Sequence, residues 1–202
     1  PRPLVFGGLA IGEGPEGRRL YNSAFLADVD GAIIGRYDKR ILVPFGEYLP
    51  FASRFPWLRR LSPATGRFSP GEEPTVLVTA DGVRLGALIC YEDVVPVPAR
   101  EAVARGATLL LNLTNDAWYG ASAEPYQHQA LAIWRAVETR RDFIRSTNTG
   151  LTAAISATGE VLTELPIFVA EARNVEVRLL DLRTFYARWG DVTPREDRRA
   201  QR

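Results

Sequence analysis

The chain has 202 residues, 46% of them hydrophobic, and a formal net charge of +1, a balance that gives no reason to expect nucleic acid as a partner. One cysteine, Cys90, and one histidine, His128, exclude an internal disulfide and speak against a Cys/His metal site. A chain of this size can bury roughly 70% of its unfolded surface, so it needs neither a disulfide nor a metal to fold as one α/β domain.

The first third reads as paired strands. Residues 3–11 are apolar with glycines, and 12–17 form a Gly/Pro loop. The runs 20–29 and 32–39 flank Asp30-Gly31, a strong hairpin signal. Residues 40–74 differ, with many prolines and glycines, several aromatics and little periodicity. A long irregular excursion of this kind inside a domain tends to be functional. A second Asp-Gly hairpin spans 75–90 and ends on Cys90. A short helix fits 97–107, a buried strand 107–113, a turn 115–120, and the best helical periodicity of the chain covers 122–142. Strands follow over 143–147 and 151–157, joined by Asn148-Thr149-Gly150, and a last strand is expected at 174–180. The end, 192–202, is polar and reads as a disordered tail. Hairpins before Cys90 and alternation after it suggest a mixed sheet, or two sheets face to face with helices outside. The apolar runs are strand-length, far short of the roughly 20 residues that cross a bilayer. The chain does not begin with Met and contains none, and we read it as a fragment of a longer protein.

Two residues stand out chemically. Lys39 is the only lysine among 25 lysines and arginines. Arginine cannot deprotonate in a protein, so a position that keeps lysine in this background suits ammonium chemistry. Cys90 sits where a strand gives way to a turn, a geometry that exposes a side chain as nucleophile elbows do. Alone, it reads first as packing, because free cysteines are among the most buried residues. A nucleophilic thiol needs a positive charge, a helix N-terminus or a base beside it. His128, near the start of an amphipathic helix, reads as helix packing or capping. Lys39 remains as the charge, with Glu47 and Glu92 close in sequence to the two reactive groups.

The words "YDKRILVPFGEYLPF" (37–51), "GALICYEDV" (86–94), "NLTNDAWYG" (112–120), "YQHQALAIWRAVETRRDFIRSTNTGLTAAI" (126–155) and "TFYARWGD" (184–191) closely resemble the carbon–nitrogen hydrolase domain of the bacterial apolipoprotein N-acyltransferases, a branch of the nitrilase superfamily. The resemblance implies an α/β fold, a nitrilase-like four-layer α-β-β-α sandwich over residues 1–191, incomplete on its N-terminal side. It implies Cys90 as nucleophile and Lys39 as the catalytic lysine. Glu47 would support the lysine, and Tyr91 and Glu92 would flank the nucleophile. The N–H after Cys90 and the Lys39 ammonium would form an oxyanion hole. No cofactor or metal is implied. The acyl donor would be a phospholipid and the acceptor a diacylglyceryl-cysteine lipoprotein. The domain would sit on the periplasmic face of the bacterial inner membrane. In the 40–74 excursion, Phe51, Phe55, Trp57 and Leu58 among Arg54, Arg59 and Arg60 suit contact with a lipid headgroup boundary. The turns at 115–120 and 148–150 receive no chemistry, and Asn115, Asp116 and Trp118 read as scaffold.

The chain departs from the resemblance in one respect. The family's general-base glutamate precedes the first strand and is absent from these residues; Glu13 and Glu16 lie in a Gly/Pro loop with the wrong surroundings. A positioned base is typically worth about 10²–10⁴-fold, so the chain by itself is expected to be inactive. Two other readings stay open: a soluble nitrilase-type amidohydrolase of small amides, and a non-catalytic relative that binds lipid or lipoprotein.

Overall fold

A computed structural model describes residues 2–14, 17–52, 54–55, 57–61 and 66–192; the tail expected to be disordered lies outside the described residues from position 193 onward. Strands β1 (Leu4–Gly14), β2 (Gly17–Ala27) and β3 (Ile33–Asp38) form an antiparallel sheet in the order β1-β2-β3. A second sheet has the order β4 (Leu77–Val78), β5 (Arg84–Ile89), β6 (Leu109–Thr114), β7 (Phe143–Thr147), β8 (Thr152–Ile155) and β9 (Val161–Leu165). Its centre, β5-β6-β7, is parallel, and both margins are antiparallel. Helices α2 (Pro96–Ala104) and α3 (Glu124–Thr139) make the two crossovers that parallel strands require. The single turn α1 (Leu58–Leu61) lies in the excursion, and α4 (Phe185–Trp189) follows the last strand.

Strand alternation divides the core in two. Leu85, Ala87, Ile89 and Leu109 face the small sheet and pack with Ala24, Leu26, Tyr37 and Leu77. Leu88, Leu110, Phe143 and Ile155 point the other way, onto Ala99, Ala102 and Val103 of α2, Ala132 and Ala136 of α3 and Ala187 of α4. Small residues on the helices bring them close to the sheet. At Gly86 a Cβ would lie 2.9 Å from both Ala102 Cβ and Leu110 Cδ2, so the approach of α2 requires glycine there. The result is an α/β sandwich of two facing sheets with helices on the outside of the larger one. Among the described residues no helix is long and apolar enough to cross a membrane.

Three local expectations change. The loop expected over 12–17 shrinks to its tip, because β1 pairs with β2 as far as Gly14 opposite Gly17, with the Tyr21 ring across Gly12. The strand expected at 174–180 does not form. The Arg178 amide donates to Asp142 Oδ2 at 2.7 Å, where a ladder would supply a carbonyl, and Arg141 Nη1 takes the Leu182 carbonyl at 2.7 Å. Two consecutive charged side chains thus capture this segment. Conversely, β9 was not anticipated; it returns through a turn at Gly159, whose φ is +89°.

Candidate active site

Loops at the carboxyl ends of parallel strands are where α/β sheets place ligand sites. Here β5 ends at Ile89 and the chain turns sharply at Cys90, whose φ is +51°. A left-handed conformation costs a residue with a Cβ roughly 1–2 kcal/mol, so neighbouring groups must hold it. Asn112 Nδ2, on β6, donates to the Cys90 carbonyl at 3.0 Å. Glu92 Oε2 accepts from the Ile89 amide at 2.9 Å. Cys90 then opens a 3-10 turn, Cys90–Asp93, that leads into α2, and its side chain is half-buried.

Glu92 is wholly buried and its acceptors are fully engaged. Oε1 accepts from the amides of Arg40 at 2.7 Å and Ile41 at 3.0 Å, and the Tyr37 hydroxyl lies 2.9 Å from both oxygens. One carboxylate therefore grips the backbone just after Lys39 and just before Cys90. Burial pushes the Glu92 carboxyl up, opposed by the N–H groups of Ile41, Arg40 and Ile89 and by the Tyr37 hydroxyl. Burial and then the charge of Glu92 push Tyr37 up in turn.

Lys39 follows β3 and is 1% exposed. Its amide donates to the Asn22 carbonyl and its own carbonyl accepts from Gly71, both at 2.8 Å. A side chain at 71 would collide with the Asp38 carbonyl, so the returning end of the excursion can close on Lys39 only through glycine. Lys39 Nζ is 2.7 Å from Glu47 Oε2. That carboxylate also accepts from the Val43 amide at 2.8 Å and, through Oε1, from Asn22 Nδ2 at 3.3 Å. The tight turn that aims Glu47 inward places Phe45 outward with φ +64°. Burial first, then the charges of Cys90, Glu124, Asp116 and Glu47, push the Tyr119 hydroxyl up.

Of the residues expected from sequence, Lys39 and Glu47 are in direct contact, and Glu92 joins their segment to that of Cys90. Glu92 has its oxygens committed to protein donors, which makes it a positioning group and not one that faces substrate. Tyr91 is exposed on the rim. Phe51, Phe55 and Trp57 are exposed, at 74%, 47% and 57%, and Leu58 is half-buried. Phe51 has φ +63° in a series of tight turns ahead of α1. Glu13 lies in β1 opposite Arg18, and Glu16 falls outside the described residues.

Sequence reasoning missed a buried ion cluster behind Cys90. His128 Nε2 is 2.6 Å from Asp93 Oδ1, and Arg145 Nε is 3.0 Å from Asp93 Oδ2. His128 is therefore not the packing or capping residue expected. A signal was present: Arg145 follows the apolar pair Phe143-Ile144 within the strand "FIRST", on the same face as Phe143, where a charge needs a partner.

A family profile described as "Carbon-nitrogen hydrolase" matches residues 2–185. Among curated proteins, the chain is 44% identical over 188 residues to an apolipoprotein N-acyltransferase of Geobacter metallireducens, covering 93% of this chain and 36% of that protein. It is 37% identical over 198 residues to one of Bdellovibrio bacteriovorus, covering 94% and 36%. The chain thus spans about a third of the length of these relatives. Among solved structures it is similar to an amidase from Nesterenkonia sp. AN1, in a form showing covalent addition of the acetamide moiety of fluoroacetamide at the active-site cysteine. Identity there is 29% and the TM-score 0.58, with 82% of this chain and 57% of that one covered. A further crystal structure of an amidase from Nesterenkonia sp. gives 28% and 0.59, covering 98% and 64%.

Proposed function

The chain belongs to the carbon–nitrogen hydrolase family, and from that premise we propose that residues 1–191 are the acyl-transfer domain of an apolipoprotein N-acyltransferase, with Cys90 as nucleophile. The observation that carries the chemistry is the Glu92 carboxylate, which holds the Lys39 segment and the Cys90 elbow in one frame. The greater identity to N-acyltransferases than to the amidase favours acyl transfer over amide hydrolysis.

In the proposed reaction the Cys90 thiolate attacks the ester carbonyl of a phospholipid. The carbonyl oxygen takes the electron pair, and the Lys39 ammonium with the backbone N–H after Cys90 stabilises it. Collapse expels the lysophospholipid alkoxide, which takes the proton that the Cys90 thiol gave up in forming the thiolate, and leaves a thioester on Cys90. The α-amine of a diacylglyceryl-cysteine then attacks the thioester, loses a proton, and leaves as an amide while the thiol is restored. Glu47 fixes the Lys39 ammonium, and Glu92 and Asn112 fix the elbow. Phe51, Phe55, Trp57 and Leu58 would meet the lipid surface, and the domain would face the periplasm beside the inner membrane. Mass spectrometry after incubation of the intact enzyme with phospholipid tests the reading: an acyl adduct on Cys90, lost in Cys90→Ser, is expected. Turnover of short amides with no such adduct would select the amidohydrolase reading instead.

A further inference from the structure

His128 is the only histidine in the chain, and its ring lies between two buried carboxylates. Nε2 is 2.6 Å from Asp93 Oδ1, and Nδ1 is 3.3 Å from Asp116 Oδ1, within ion-pair reach though off the line of a directed hydrogen bond. A neutral imidazole has one N–H, so its other nitrogen would turn a lone pair toward a carboxylate. Carboxylates on both sides call for an imidazolium. The surrounding charges agree. Asp93 and Asp116 approach from the turns after β5 and β6. Arg145, from β7, takes the second oxygen of Asp93 at 3.0 Å. Glu124, one turn earlier on α3, has Oε1 3.6 Å from Nδ1; burial and then the charge of Asp116 push its carboxyl up. Asp93 and Asp116 are thus balanced by Arg145 and an imidazolium, which is how buried charge is tolerated.

The two carboxylates belong to functionally distinct turns. Asp93 closes the turn that Cys90 opens, and Asp116 opens the turn that carries Trp118 and Tyr119. Trp118 is 83% exposed and Tyr119 47%. Asp116 is held from behind. Thr114 Oγ1 donates to Oδ1 at 3.1 Å, and Gly150 packs against Oδ2 so closely that any side chain there would collide with it. Asn148 Nδ2 donates to Asn115 Oδ1 at 2.7 Å. The Asn148-Thr149-Gly150 and Asn115-Asp116 stretches, without chemistry of their own, thereby become the supports of one bridge.

We infer that His128 is held as an imidazolium and is a positioning residue: by bridging Asp93 and Asp116 it sets the Cys90 elbow against the Trp118–Tyr119 turn. Burial pulls the ring pKa down, but the carboxylates of Asp116 and Asp93 outweigh it and hold the group at about 10. Asp116, Glu124 and His128 also bring three potential ligand atoms within 4.8 Å of one another, yet an imidazolium between two carboxylates has no lone pair for a cation.

The consequence for reactivity rests on Cys90 being the reacting thiol, and the test is chosen to stand apart from acyl transfer. In the ¹⁵N-histidine-labelled 202-residue chain, long-range ¹H–¹⁵N correlation at pH 7.5 is expected to show both ring nitrogens protonated; a neutral tautomer would overturn the inference. Iodoacetamide alkylation of Cys90 needs no acyl donor. His128→Gln and Asp116→Asn are each expected to slow it roughly tenfold or more, and the double variant is expected to be no slower than the slower single one. The parent's alkylation profile is expected to show a step near pH 10 with its circular dichroism unchanged across the step, and His128→Gln is expected to lack it; a step that accompanies unfolding would mark a purely structural role. If His128→Gln does not fold, Asp116→Asn carries the comparison. Variants with parental circular dichroism that alkylate at the parental rate, or effects that simply add, would refute it.

Discussion

Replacing Glu92 by glutamine tests the frame on which the proposed chemistry stands. Glu92 Oε1 receives two amides, from Arg40 and Ile41, while Oε2 receives the Ile89 amide, with the Tyr37 hydroxyl against both oxygens. Glutamine has one oxygen to offer. It serves best at the Oε1 position, which puts its NH₂ against the Ile89 N–H, donor facing donor. Tyr37 can rotate to accept from that NH₂, but the Ile89 amide cannot. One buried donor is orphaned, a cost of about 1–3 kcal/mol. It falls on the residue before Cys90, whose left-handed backbone is itself worth roughly 1–2 kcal/mol of strain to maintain. Glu92→Gln is therefore expected to lose about 1–3 kcal/mol in urea unfolding, and to slow iodoacetamide alkylation of Cys90 through relaxation of the elbow. A variant with stability unchanged to about 0.5 kcal/mol, the range of an ordinary surface substitution, and with parental alkylation would refute the view that Glu92 positions both segments.

Three further outcomes are expected. Lys39→Arg puts a larger, non-exchanging group into a site that is 1% exposed and closed by Glu47; thioester formation should fall about 10²-fold or more, as when an oxyanion donor is removed, and near-parental formation by quench-flow would contradict the role of the ammonium. Trp57→Ala, at a 57% exposed position in the excursion, should weaken partitioning onto anionic vesicles in a sedimentation assay; unchanged partitioning would place the lipid contact elsewhere. Stability should depend on pH through His128, which is faced by Asp93, Asp116 and Arg145 from neighbouring elements and by Glu124 on its own helix. Its folded value is raised from 6.5 to about 10, so its contribution is complete below about 6.5 and is lost as pH rises through about 10. Urea midpoints should decline across that window in the parent and decline less in His128→Gln; parallel curves would oppose it.

How much of this was legible in the sequence follows the range of the interactions. The continuous apolar run at 107–113 and the Asp-Gly turns announced strands that local patterning specifies, and the structure pairs them. Lys39 and Cys90 stood out by rarity and by position at a strand end. Glu92 was singled out as a flanking residue, but its work was hidden. Its partners include backbone amides about fifty positions earlier, and backbone groups carry no residue-type signal. His128 was misread for a similar reason: on α3 it looks like part of an amphipathic face, and its carboxylate at Asp93 lies 35 positions away. The missing strand at 174–180 shows the converse. Val175, Val177 and Leu179 alternate correctly, yet the buried Asp142 side chain claims the Arg178 amide that a ladder would have used.

The most direct test of the central claim is the mass of Cys90 in the intact enzyme after incubation with phospholipid of defined acyl chains. A mass increase equal to one acyl group, mapped to Cys90, discharged by a diacylglyceryl-cysteine peptide and absent from Cys90→Ser, is the predicted result. An unmodified Cys90 under conditions where acyl transfer to the peptide proceeds would contradict it.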